Sequence, residues 1–93
     1  MIYNQLGTTF SIEWPINIED SDKTLSEMNL TLYVSHNRFH KQMEIVVQNN
    51  TISFVFEGKD QKVCGSYDIE LYVNEGLENQ VLITEKNVFN LYK

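Results

Sequence analysis

Not one of the 93 residues is alanine, while valine, isoleucine and threonine number eight, eight and six. Alanine is the strongest helix former. Branched side chains lose rotamer freedom on a helix but sit well on a pleated, half-buried surface. Aromatics add a further 12% of the chain, so the composition specifies strands. With 42% hydrophobic and 22% charged residues, the chain has the make-up of a globular domain. Its length suits a single domain, residues 1–93, whose core needs neither metal nor disulfide.

Periodicity places the strands. Met43-Glu44-Ile45-Val46-Val47-Gln48 and Thr51-Ile52-Ser53-Phe54-Val55-Phe56 are alternating runs separated by Asn49-Asn50, the pattern of a hairpin whose turn residues accept left-handed backbone. Closing it there pairs Val47 with Ile52, Ile45 with Phe54 and Met43 with Phe56, with all six on one face. A slip of one residue would separate the two apolar sets.

Met28, Leu30, Leu32 and Val34 form a second alternating strand, joined to the hairpin by a connecting segment at 35–42. Tyr67, Ile69, Leu71 and Val73 form a third. A turn at Asn74-Glu75-Gly76 leads to Val81-Leu82-Ile83, and Val88–Tyr92 makes a short closing strand. Thr9–Trp14 also alternates and runs into Pro15, which cannot donate to a ladder. That places it at an edge or at a bend between sheets. Residues 21–27 have room for one helical turn. Strands recurring every 8 to 12 residues or so predict an antiparallel β-sandwich of about seven strands.

Charge and chemistry exclude several functions. The net charge is −6, with Arg38 the sole arginine, so the chain lacks the basic footprint of a nucleic-acid binder and is repelled by anionic membranes. No apolar run reaches the roughly 18 to 20 residues that span a bilayer, and Met1–Gln5 has neither part of a secretory signal. Acids cluster at 13–27 and 68–85, and cations (Arg38, Lys41, Lys59, Lys62) in the middle. That segregation suits contact between copies.

His36 and His40 stand four apart without a nearby carboxylate or cysteine, so no metal site is expected. Cys64 is alone. No serine lies in a nucleophile elbow, and no glycine-rich loop cradles phosphate. The expectation is a non-enzyme without a cofactor. Trp14, Tyr33 and Tyr72 are the aromatics that a carbohydrate-binding or other surface-binding module would use, which is the alternative reading.

The stretch Phe54-Val55-Phe56-Glu57-Gly58-Lys59-Asp60-Gln61-Lys62, followed by Gly65-Ser66-Tyr67 and an alternating strand, resembles a family of small immunoglobulin-like proteins of phages and prophages of gut bacteria. The turn Asn74-Glu75-Gly76, the ending Phe89-Asn90-Leu91 and the early strand Leu30–Val34 match as well, over residues 28 to 92. Where this chain has Cys64 the family often has threonine. The resemblance implies an immunoglobulin-like sandwich acting as a structural or assembly module of a tail or baseplate type. Such a module is made in the host cytoplasm and carried in the virion. Its partners would be other virion or assembly proteins or copies of itself, and the resemblance carries over no catalytic residue.

Read from the residues, Gly65-Ser66-Tyr67 at a strand start has the form of a tyrosine corner, and Gly58–Lys62 that of a polar arch between strands. For contacts with a partner, the segment His36, Arg38, Phe39, His40 and Lys41 offers one apolar ring among basic neighbours.

Overall fold

The computed structural model describes residues 2–16 and 27–93. They form eight strands: β1 (Ile2–Gln5), β2 (Phe10–Pro15), β3 (Leu30–His36), β4 (Phe39–Met43), β5 (Val46–Gln48), β6 (Thr51–Phe56), β7 (Gly65–Val73) and β8 (Val81–Tyr92). A five-stranded sheet has the order β1-β8-β7-β3-β4, and a three-stranded sheet the order β2-β6-β5. The inner faces of the two sheets share one apolar core, so the chain is an all-β sandwich. The helical turn expected at 21–27 falls almost wholly outside the described residues.

The core follows the alternation. Ile12 on β2, Leu32 and Val34 on β3, Ile52, Phe54 and Phe56 on β6, Tyr67, Ile69 and Leu71 on β7, and Phe89 and Leu91 on β8 are all buried. Its centre is aromatic. The Tyr67 ring stacks on Phe89 at 4.8 Å between centroids, and Phe56 meets both rings edge-on. Such geometries exploit the quadrupoles of the rings as well as their area.

Besides glycines, four asparagines among the described residues adopt left-handed backbone. Asn37, Asn49 and Asn74 lie where β3 gives way to β4, β5 to β6 and β7 to β8, with φ of 50°, 55° and 59°. Asn87 (φ 53°) sits at the irregularity between β7 and β8, where its N–H donates to Asp68 Oδ1 at 2.8 Å. Asparagine tolerates this region because its short polar side chain bonds locally.

Three expectations need correction. The hairpin at 43–56 keeps its turn and its Val47–Ile52 pair, but β5 is only Val46–Gln48. Met43 instead pairs with Leu32 in the other sheet, and the chain crosses between sheets at Glu44-Ile45. The connecting segment at 35–42 is itself the β3–β4 hairpin, with its turn at Asn37-Arg38. The sandwich is not purely antiparallel, because β1 pairs in parallel with Phe89–Tyr92. The turn at 74–76 and the strand beyond it stand as expected, and the closing strand is the second half of one long β8. β2 is an edge strand that ends on Pro15.

Candidate functional site

The five residues of the candidate contact segment do not share one surface. A hairpin sends alternate side chains to opposite faces, and the register puts His36 opposite Phe39 and Ser35 opposite His40. Phe39 is half-buried against the core, with its ring edge-on to Tyr67 at 5.8 Å and 6.3 Å from Phe56. It is therefore a core side chain and not the free apolar contact that the sequence suggested. Arg38 is exposed at the turn. Lys41 lies opposite Val34 and is half-buried at the rim of the inner face.

His36 also turns inward. Its ring lies 5.4 Å from that of Tyr67, and Nδ1 is 2.7 Å from the Ser66 carbonyl. A carbonyl only accepts, so Nδ1 carries the proton and Nε2 faces the Asn37 amide at 3.2 Å. The ring occupies the space beside Gly65. A Cβ on Gly65, whose φ is +129°, would fall 2.4 Å from His36 Cε1. Tyr67 next to it donates its hydroxyl to the Val63 carbonyl, four residues upstream. Burial pushes this phenol above the ordinary value of 10.0. The Gly-x-Tyr motif thus fixes the corner where β7 begins.

The Gly58–Lys62 motif is an anchor of the same kind. Gln61 is buried although polar. Its Oε1 accepts from the Gly7 N–H at 2.8 Å, and its Nε2 donates to the Thr8 carbonyl at 2.8 Å and the Phe56 carbonyl at 3.2 Å. Gly58 backs onto the same loop, where an added Cβ would lie 2.0 Å from the Gly7 oxygen. The Gly58 N–H donates to Thr9 Oγ1 at 3.0 Å. Lys59 pairs with Glu57 at 3.2 Å on the exposed side.

The outer face of the five-stranded sheet gathers aromatic and acidic side chains; of the candidate segment His40 belongs to this cluster and His36 lines the groove beside it. Its imidazole stacks on Tyr33 at 4.3 Å and lies 3.7 Å from Glu70. Tyr33 meets Tyr72 edge-on at 5.6 Å. The Tyr33 hydroxyl donates to both Glu75 oxygens, at 2.9 and 3.1 Å. That bond, ahead of partial desolvation and the charge of Glu75, raises the Tyr33 phenol above 10.0. Beside these rings a polar groove of about 410 Å³ runs past Ser35, His36, Ser66, Asp68, Glu70 and Lys86. Lys86 lies 3.6 Å from Asp68 there.

Tyr33 and Tyr72 therefore share a face, but at 89° to one another and with His40 over one of them. Trp14 is on the other sheet, paired with Ile52 and packed on the core. The three aromatics form no flat platform for a sugar ring. Among the described residues no group of three or more His, Cys, Asp or Glu converges as metal ligands would. Cys64 is a free, half-buried thiol. What the face offers is a rigid, strand-borne mixture of aromatic edges and carboxylates, suited to binding another surface by shape and hydrogen bonds. In comparisons with protein-family models, curated proteins and solved structures, the chain matches none.

Proposed function

We propose that the chain is an immunoglobulin-like module of a phage or prophage particle, of tail or baseplate type, that works through protein contacts and turns over no substrate. The observation that carries this reading is the 54–71 segment. Its Gly58-x-x-Gln61 turn and Gly65-x-Tyr67 corner both have architectural roles, which is what a shared scaffold motif requires. Strand order lends support to the immunoglobulin-like part. The three-stranded sheet β2-β6-β5 follows the B-E-D order of such domains, and β8-β7-β3-β4 follows G-F-C-C′. On that reading Ile12 and Ile69, both buried, stand where antibody domains carry the disulfide between sheets. Tyr67 then lies two residues before the second of these positions.

The binding surface is the outer face bearing Tyr33, His40, Glu70, Tyr72 and Glu75. Aromatic rings that are already ordered lose little entropy on docking. The reading is tested by inducing the strain that encodes the chain and identifying the proteins of purified particles and assembly intermediates by mass spectrometry. The chain should be present in amounts comparable to other structural proteins. If it is made during induction yet missing from both fractions, the reading is wrong. The alternative of a carbohydrate-binding module rests on the polar groove beside Tyr33, and would require saturable binding of free oligosaccharides that Tyr72→Ala abolishes.

A further inference from the structure

Among the described residues the five-stranded sheet is open at β4, at the outer side of β1 and at the part of β8 that β1 leaves uncovered. No strand among the described residues pairs with the outer side of β4, and β1 covers only the Phe89–Tyr92 end of β8. Val81–Glu85 is thus paired on one side, to Ile69–Val73 of β7. β4 is five residues long, and the part of β8 that β1 leaves uncovered runs from Val81 to Val88, its first five residues laddered to β7. Unpaired N–H and C=O groups along such edges are templates for another strand.

The β4 edge and the uncovered β8 edge each carry a charge where the alternation calls for a core residue. Directly opposed residues share a face, so Lys41, opposite Val34, and Glu85, opposite Ile69, both belong to the inner side. An inward charge at an edge blocks pairing with a like edge. Two β4 edges would oppose lysine to lysine, and two β8 edges glutamate to glutamate. The pair of unlike edges is complementary.

We infer that a second copy of this chain docks its β4 edge onto the open Val81–Glu85 edge of β8, extending the five-stranded sheet from copy to copy. The strand directions suit this without any inversion. β4 runs antiparallel to β3, β3 to β7 and β7 to β8, so β4 of a copy laid alongside in the same orientation is antiparallel to β8. The register that sets Lys41 against Glu85 also sets Gln42 against Thr84 and Met43 against Ile83. Across these three pairs charge meets charge, polar meets polar and apolar meets apolar.

Because the two edges differ, the contact is heterologous and does not close into a two-fold dimer. Four strands per copy (β8-β7-β3-β4) advance the array by roughly 19 Å. A twist of about 20 to 25° per strand turns successive copies by roughly 80 to 100°. The product is a short helical stack. This deepens the assembly reading and rests on it only for its setting in a particle, so the two fail separately. Absence from particles removes the setting, whereas absence of self-association removes the docking.

The test is sedimentation of the full chain at low salt, where exposed charges are least screened, with amide exchange measured alongside. Wild-type protein should gain mass as concentration rises towards the millimolar range, lose it on adding salt, and gain exchange protection centred on 41–43 and 83–85. Lys41→Glu and Glu85→Lys should each stay folded, by circular dichroism, and sediment as monomers. An equimolar mixture of the two should associate again, because the altered edge of each variant complements one edge of the other. A monomeric wild type overturns the inference. So do single variants that associate as the wild type does, a mixture that stays monomeric, or protection that appears elsewhere.

Discussion

Gln61 offers the sharpest test of how this small sandwich is held together. Its amide ties the turn at 58–61 to the loop between β1 and β2 through the Gly7 N–H and the Thr8 carbonyl, and to the end of β6 through Phe56. Methionine has nearly the same shape and makes none of these bonds. Each neutral hydrogen bond contributes about 0.5 to 1.5 kcal/mol net, and the more apolar methionine offsets roughly 1 kcal/mol by its burial. Gln61→Met should therefore cost about 1 to 3 kcal/mol. For a domain of this size that lowers the thermal midpoint by about 5 to 20 °C. Gln61→Glu is more discriminating. It keeps the acceptor for Gly7 but turns an acceptor towards the Thr8 and Phe56 carbonyls, so the carboxylate is disfavoured and its folded pKa lies above the unfolded value of about 4.3. A raised folded pKa means that the protonated form is the compatible one. The damage is then smallest below the unfolded pKa and grows as pH rises through the folded pKa. Calorimetry should find Gln61→Glu less stable than Gln61→Met at neutral pH, with the order closing or reversing near pH 4. A glutamate variant that melts like wild type at neutral pH, or at a constant offset at every pH, would refute the clamp.

Phe54→Ala should cost about 3 to 5 kcal/mol, since the ring is only 2% exposed; an unchanged midpoint would show that the ring is not core. Gly65→Ala should destabilise through both its positive φ and its clash with His36. Combining it with His36→Ala should recover only part of the loss in a double-mutant cycle, and strict additivity would count against the packing described. The raised phenol of Tyr67 predicts stability that holds below about pH 10 and falls as pH rises through the folded pKa. Tyr67→Phe should be weaker by about 1 kcal/mol for the lost bond to Val63 and show a flatter alkaline limb in denaturant titrations.

What was legible in the sequence was the position of the core, more than the pairing of strands. Met43, Ile45 and Val47 alternate without interruption and all pack inward, yet the chain leaves one sheet and joins the other between them. Both sheets face the same core, so a strand that changes sheet keeps its period of two. Alternation cannot tell such a crossing from a continuous hairpin arm. The parallel strand β1 was illegible for a different reason. Ile2 and Tyr3 are exposed, and the segment is held by main-chain pairing to β8, which leaves no apolar pattern behind. Gln61 read as one more polar loop residue because Gly7 and Thr8, which it clamps, lie 54 and 53 positions away.

The strand that carries the candidate face was hidden by a single residue. Phe39, Lys41 and Met43 take alternate positions on the inner side of β4, and a lysine in the middle of that series made 35–42 look like a connection. Glu85 interrupts β8 in the same way after Ile83, leaving only Val81–Ile83 recognisable as a strand. A local conflict between pattern and fold is expected where a surface has a second task beyond packing. The two conflicts fall on two open edges of one sheet and have opposite sign. If each served only to keep its edge soluble, two charges of the same sign would do as well, and lysine is the usual choice at an edge. Opposite signs forbid each edge its own likeness while leaving the unlike pair permitted, and that selective permission separates a directed stack from a blunted edge.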